Sequence, residues 1–287
     1  MSKLILGCGY LGSRVAAGWH AAGHEVFAVT RSAHRAAELE RQGLRPIIAD
    51  VADASSLDSR LPTAETVLYA IGYDASSGRT RDEVQIAGLR QTLDALPADT
   101  GRIVFISSTG VYGQTTGRWV DEESPCEPTR EAGRTALAAE VLLRAHPLGN
   151  RAIILRLAGI YGPGRIPHYR DIAADRPIAA EPNSHLNLIH VEDAAATVFA
   201  AESRGQPPRL YLVSDGQPVR RGEYVAALCD HFKLPPAQFA PPPPDVLAQS
   251  RSGTDKLISN ARLVSELNPA FRFPSYRDGL AALIERG

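Results

Sequence analysis

Leu4-Ile5-Leu6-Gly7-Cys8-Gly9-Tyr10-Leu11-Gly12 is a short apolar run that opens into three glycines spaced GxGxxG. The run reads as a strand, and the segment from about Leu11 to Ala22, closed by Gly23, as the helix after it. Between a strand and a helix the three glycines have distinct roles. Gly7 permits the tight turn, Gly9 lets backbone approach a pyrophosphate, and Gly12 lets helix and strand pack closely. The helix then offers unpaired N–H groups and a positive dipole end to the phosphates. Gly7, Cys8, Gly9, Tyr10, Leu11 and Gly12 are therefore expected to bind a dinucleotide.

Working outward, short apolar runs alternate with amphipathic segments. Strands are expected at Glu25–Thr30, Arg45–Ala49, Val67–Ile71, Ile103–Ser107 and Ala152–Leu157. Helices are expected at Ala33–Gln42, near Leu57, and at Arg81–Leu96 and Glu131–Ala145. Alternation this regular means βαβ units, so the fold class is α/β, a Rossmann-type doubly wound parallel sheet. After about Gly162 the rhythm loosens. A helix at Val191–Ala201, a strand at Leu210–Val213 and helices at Tyr224–Phe232, Ala261–Leu267 and Tyr276–Ile284 follow, with a stiff proline-rich loop at Pro241–Pro244. The expected division is a dinucleotide-binding domain over residues 1–164 and a smaller substrate-binding region over 165–287, partly interleaved with the sheet.

A chain of 287 residues is ample to bury a core. The net charge of −1 supplies no field for nucleic acid or an anionic membrane surface. No stretch approaches the ~20 apolar residues of a membrane span. Cys8, Cys126 and Cys229 have neither metal-ligand nor disulfide-framework spacing, so no metal is expected. Met1-Ser2-Lys3 runs straight into the first strand without a signal-peptide pattern, and a cytoplasmic setting is expected.

The end of the second strand selects the cofactor. An Asp or Glu there would hold the 2′-hydroxyl of NAD, whereas this chain has Thr30-Arg31-Ser32, with Arg35 a turn later. An arginine and two hydroxyls suit a 2′-phosphate better, so NADP(H) is expected over NAD. Asp50 and Val51 end the third strand, and Asp50 is placed either to accept from the adenine amino group or to cap its own turn. Ala70, Ile71 and Gly72, at the end of the fourth strand, are small or apolar residues along the adenosine path.

Four further stretches complete a pattern: Ser107-Ser108-Thr109-Gly110-Val111-Tyr112-Gly113, Arg156-Leu157-Ala158-Gly159-Ile160-Tyr161-Gly162-Pro163-Gly164, Asn187-Leu188-Ile189-His190-Val191-Glu192-Asp193 and Tyr211-Leu212-Val213-Ser214-Asp215-Gly216. With the glycine turn they resemble, nearly end to end, the extended short-chain dehydrogenase/reductase superfamily of the NAD-dependent epimerase/dehydratase type. The family's usual GxxGxxG would begin at Leu6, which marks an atypical subgroup. The resemblance implies a catalytic Ser at Ser108, holding the reacting oxygen. It also implies a YxxxK pair, but the matching segment is Ala132-Gly133-Arg134-Thr135-Ala136, so alanines stand at both positions. On a helix, i and i+4 share a face and the pair would act together. Acid–base help of this kind is worth roughly 10²–10⁴ in rate. Replacement proton donors near the nicotinamide end are Thr109, Tyr112 and Arg134.

The resemblance also implies that the second half forms the substrate pocket. Arg165, His168, Tyr169 and Arg170 are candidates for an anionic or sugar-like small molecule, with Asn187 and His190 before the next helix. His190 reads better as structural, and Lys256 has no assigned role. Family members dimerise through helices matching Arg81–Leu96 and Glu131–Ala145, so a monomer or homodimer is expected. Two functions remain open. One is an NADP(H)-preferring oxidoreductase or epimerase-like enzyme on a small carbonyl, hydroxyl or sugar-nucleotide substrate. The other is an NADP(H)-binding sensor that has lost the chemistry with Ala132 and Ala136.

Overall fold

A computed structural model of the chain describes residues 2–241 and 253–284. Its centre is a seven-stranded parallel sheet. The strands are β1 (Ser2–Leu6), β2 (Glu25–Thr30), β3 (Arg45–Ile48), β4 (Thr66–Tyr69), β5 (Arg102–Ser108), β7 (Ala152–Leu157) and β12 (Arg209–Val213). Their order is β12-β7-β5-β4-β1-β2-β3. The chain runs outward from β1 to β3, then returns to the other side of β1 as β4, so the winding reverses between β1 and β4. In open α/β sheets, ligands bind beyond the strand ends at such a reversal.

Every residue of β4 and β7 is buried, as expected for strands covered on both faces. The helices that cover the sheet are α1 (Gly12–Ala21), α2 (Ala33–Arg41), α3 (Ala54–Leu57), α4 (Gly88–Ala95), α5 (Glu131–Ala145) and part of α7 (Val191–Arg204). Leu4, Leu6, Val67, Leu89, Ile103 and Ile154 share the core between them.

Two buried ionic clusters tie helices to strands. Glu140 of α5 is fully buried and accepts from Ser107 Oγ at 2.6 Å and from Arg156 Nε and Nη2 at 2.9 and 2.6 Å. Glu202 of α7 accepts from Lys3 Nζ (2.5 Å), Trp19 Nε1 (2.6 Å) and Thr66 Oγ1 (2.8 Å).

The chain forms two compact units. The first comprises Met1–Ser107, Thr135–Arg156 and Thr197–Tyr211; the second comprises Ser108–Arg134, Leu157–Ala196 and Leu212–Gly287. Residue 164 lies inside the second unit, and the segments of the two units alternate along the chain. The reason is that β7 and β12 return to the sheet and carry their segments with them. The second unit holds four two-stranded pairings: β6 (Arg118–Val120) with β15 (Lys256–Ile258), β8 (Gly159–Tyr161) with β11 (Leu188–His190), β9 (Ile178–Ala179) with β14 (Phe239–Ala240), and β10 (His185–Leu186) with β13 (Val219–Arg220). Helices α6 (Tyr169–Ala173), α8 (Arg221–Phe232), α9 (Ala261–Leu267) and α10 (Tyr276–Ile284) complete it around Tyr161, Leu188, Tyr224 and Leu228.

Several boundaries differ from expectation. β3 stops at Ile48 and β4 at Tyr69, which leaves Ala49 and Ile71 in loops. The helix expected over Arg81–Leu96 begins with a wider π-type turn at Glu83–Ala87. A Cβ on Gly88, where that turn ends, would sit 2.9 Å from a Val51 methyl, so a close approach shapes the helix there. The proline stretch lies, beyond Pro241, outside the described residues. No helix among the described residues is long and apolar enough to cross a membrane.

Glu140→Ala would leave Arg156 buried without its counter-ion. Urea unfolding should then show a loss of about 3–5 kcal/mol, with Glu140→Gln losing less. A loss under about 1 kcal/mol would contradict the role given to this pair.

Candidate functional site

Within the first unit a cavity of about 240 Å³ opens beyond the ends of β1, β2, β3 and β4. Gly7 lies on its wall with φ +97°, and a Cβ there would stand 2.5 Å from the Ala70 carbonyl carbon and oxygen. Only glycine fits that position. Gly12 is as constrained, because its Cβ would fall 2.3 Å from the Gly7 carbonyl oxygen. Gly9 differs: it is exposed and a Cβ on it would meet nothing within 4 Å. Its N–H donates to the Gly7 carbonyl at 2.8 Å, closing the turn. No side chain caps the start of α1.

Of the residues expected to hold a dinucleotide, Gly7, Cys8, Thr30, Arg31, Arg35, Asp50, Val51, Ile71 and Gly72 line this cavity. Gly9, Tyr10, Leu11, Gly12, Ser32 and Ala70 do not. Tyr10 is turned to Arg14, which stacks on its ring at 4.5 Å and bonds its carbonyl at 2.6 Å. Ser32 caps α2 by accepting from Arg35 N at 3.3 Å. Leu11 is buried beneath the turn. Pattern reading missed Asp74, Ser77 and Val84, which reach the wall from a loop and a helix far along the chain.

The cationic end of the cavity is set by the exit of β2. Arg31 is half exposed and only loosely paired, 3.9 Å from Asp74. Such a surface pair is weak and readily exchanged for a better anion. Arg35 bonds Glu38 at 2.7 Å and the Cys8 carbonyl at 3.3 Å. Burial pushes the Cys8 thiol above its ordinary pKa against the pull of Arg35, so it stays a neutral wall group. Asp50 caps its own turn, accepting from Ala52 N at 3.0 Å, and lies 3.7 Å from Arg79.

A second cavity, of about 280 Å³, lies within the second unit. Ser108, Thr109, His168 and Asn187 line it, joined by Arg130, His185, Arg221, Thr254 and Lys256. Ser108 ends β5, and its Oγ accepts from Gly110 N at 3.0 Å, which leaves its own O–H to donate. Thr109 donates to the Leu157 carbonyl at 3.4 Å. Lys256 is held by the parallel pairing of β15 with β6, and by Asn187, which bonds the Lys256 carbonyl and Ile258 N at 2.9 and 2.7 Å. Its Nζ donates to the Tyr112 carbonyl at 2.7 Å and to Thr254 Oγ1 at 3.2 Å. Burial, then the Arg130 charge, push its pKa down to about 8, against the opposite pull of Asp255. His168 sits at φ +65° and shares a 3.0 Å contact with Arg221 Nη1. Burial, then that cation, push its pKa down to about 4, so it is neutral at pH 7.

Other candidates lie elsewhere. Tyr112 is fully buried and donates its hydroxyl to the Asp121 carbonyl at 2.8 Å, so this residue is a packing element rather than a proton donor. Arg134 donates to the Thr129 carbonyl at 2.8 Å and is not on the cavity wall. Arg165, Tyr169 and Arg170 line a different cavity of the second unit, with Phe232 and Leu283. His190 is buried, 3.9 Å from the Phe273 ring centre, and accepts from Glu192 N at 3.3 Å, as a structural histidine does. Among the described residues no group of three His, Cys, Asp or Glu is placed to hold a metal ion.

Comparison with known proteins supports the fold and identifies the family. Protein YeeZ of Escherichia coli K12 is 28% identical over 276 residues, covering 94% of this chain and 95% of YeeZ. A Methylobacillus flagellatus structure assigned to the NAD-dependent epimerase/dehydratases is 34% identical, with TM-score 0.79, covering 99% of this chain and 98% of that one. The UDP-glucose 4-epimerase of Thermus thermophilus, solved with NAD, shares the fold at TM-score 0.78 and 20% identity, covering 99% of each chain. The sequence model of the NAD dependent epimerase/dehydratase family matches residues 4–214. The chain therefore belongs to the NAD dependent epimerase/dehydratase family, within the extended short-chain dehydrogenase/reductase superfamily.

Proposed function

We propose that the protein is an NADP(H)-preferring oxidoreductase acting on a small carbonyl or hydroxyl compound, sugar nucleotides included. One observation carries the cofactor preference: at the end of β2, Thr30, Arg31 and Arg35 stand on the cavity wall where NAD-specific folds have a carboxylate. The glycine turn fits a pyrophosphate, because Gly9 puts no side chain over the turn and α1 starts without a side-chain cap. A reduced, cytoplasmic setting is part of the same reading, because Cys8, Cys126 and Cys229 are far apart and lack disulfide-framework spacing.

In this reading a reduced nicotinamide, when bound, supplies a hydride to the carbonyl carbon. Ser108 holds the carbonyl oxygen through its free O–H. Lys256 takes the place of the absent Tyr and Lys: its ammonium gives a proton to that oxygen and the neutral amine regains one from water. Two of the three Nζ hydrogens are engaged, and the third has no protein acceptor among the described residues. A pKa near 8 suits reversible proton transfer at neutral pH. The sensor alternative draws its support from Ala132 and Ala136.

Calorimetric titration should show NADPH binding at least about 10-fold tighter than NADH, the worth of one charge-assisted hydrogen bond or more. Arg31→Ala with Arg35→Ala should remove that margin, weakening NADPH far more than NADH. A preference for NADH would contradict the proposal.

Turnover is read from absorbance at 340 nm over oxo acids, keto-sugars and aldehydes. NADPH binding without turnover on any of them would favour the sensor. Reduction should fall as pH rises through about 8, because the donating form of Lys256 is the protonated one and it is depleted above its pKa. The lysines of the sequence are Lys3, Lys233 and Lys256, so lysine-selective NMR can follow this amine directly. A Lys256 titration near the ordinary value of about 10.4 would remove it from the mechanism.

A further inference from the structure

Among the described residues, four Lys or Arg side chains are buried: Lys3, Arg156, Arg221 and Lys256. The first two are matched by carboxylates. Lys3 has Glu65 and Glu202 at 2.7 and 2.5 Å, and Arg156 has Glu140 at 2.6 Å. Arg221 and Lys256 have no carboxylate within ion-pair distance among the described residues, and both line the second cavity. A buried cation without a counter-ion is costly, and Lys3 and Arg156 avoid that cost.

Arg221 is 4% exposed and begins α8. Its Nε donates to Ser184 Oγ at 3.1 Å, and its Nη1 lies 3.0 Å from His168 Nε2. Both partners are neutral groups, since His168 remains uncharged near pH 7. They orient the guanidinium without cancelling its charge. The titratable side chains on the cavity wall are Arg130, His168, His185, Arg221 and Lys256, with no acid among them. The nearby acid, Asp255, is engaged by His185, which holds it at 2.9 Å through both its ring and its backbone N–H. At about 280 Å³ the cavity is at the small end of ligand sites.

We propose that this cavity binds a small anionic substrate, carrying a carboxylate or a phosphate, through the guanidinium of Arg221. The inference rests on the oxidoreductase reading for the fate of the bound anion, though not for the binding itself. An arginine fork matches either oxyanion with paired N–H donors. An oxyanion on Arg221 sits in the same cavity as Ser108 and Lys256, so the reacting oxygen belongs to the same small molecule.

The test is binding to the full chain, with inorganic phosphate and oxamate as separate probes, by calorimetry and NMR. At least one should bind saturably, and Arg221→Met should weaken it ten-fold or more while NADPH binding is retained. Binding of oxamate alone assigns a carboxylate substrate; binding of phosphate alone assigns a phosphate ester. If neither binds, or if Arg221→Met binds as the wild type does, the proposal is overturned. Should Arg221→Met fail to fold, the wild-type His168 ring signals decide. They must move with the titration, because His168 shares Nη1 of Arg221, and static signals overturn the proposal. NADPH titration of the same samples tests the cofactor reading separately, so the two failures are distinguishable.

Discussion

The backbone between β1 and α1 turns in a space that admits no side chain at Gly7 or Gly12. A methyl group at Gly7 would enter the backbone of Ala70 as it leaves β4, and one at Gly12 would enter the carbonyl of Gly7. That double contact brings the start of α1 down onto the strand ends and presses the exit of β4 against the turn. The sheet reverses its winding at the same place, since β1 lies between β2 and β4. The cavity beyond these ends follows from the two facts together: a tight turn on one wall, and diverging chain exits on the others. Arg31 and Arg35 are on its wall because α2 follows β2 after only two residues, one of them its cap.

Charge is distributed by a second rule. Inside the first unit, buried cations are paired with carboxylates that also accept from neutral donors, as Glu140 does from Ser107 and Glu202 from Trp19 and Thr66. These clusters fix α5 and α7 on the sheet. In the second unit, the hydrogen-bond partners of Arg221 and Lys256 are neutral, and the carboxylate that acts on both, Asp255, lies beyond ion-pair distance. The cost of that arrangement appears as a lowered pKa at Lys256 and at Arg221, both through burial first. Stability alone gives no reason to keep two such groups around one cavity, and buried groups so perturbed are a mark of functional sites.

Much of the first unit was legible because parallel strands announce themselves as apolar runs and glycines mark helix ends. β1, β2 and the strand Ala152–Leu157 lie where their residues place them. The second unit was less so. Pairs such as Gly159–Tyr161 with Leu188–His190 are three residues long, too short for a period to register, and their partners are distant in sequence. The same holds for the site. Ser108 and Arg31 are in motifs that sit on strand ends, whereas Arg221 looks like any charged residue before a helix and Lys256 like any loop cation. Lys256 is buried where β15 pairs with β6. Tyr112 failed as a candidate for a related reason: its motif fixes its position in the chain, but the hydroxyl is spent on the Asp121 carbonyl.

The claim that unites these observations is that the glycine turn and the arginines after β2 form one binding site for a 2′-phosphorylated dinucleotide. A crystal structure of the protein grown with NADPH tests it most directly. The account predicts a pyrophosphate over Gly9 and the start of α1, with the 2′-phosphate within hydrogen-bond distance of Arg31 or Arg35. A dinucleotide whose adenosine ribose makes no contact with either arginine, or one bound away from the Gly7–Gly12 turn, would contradict it.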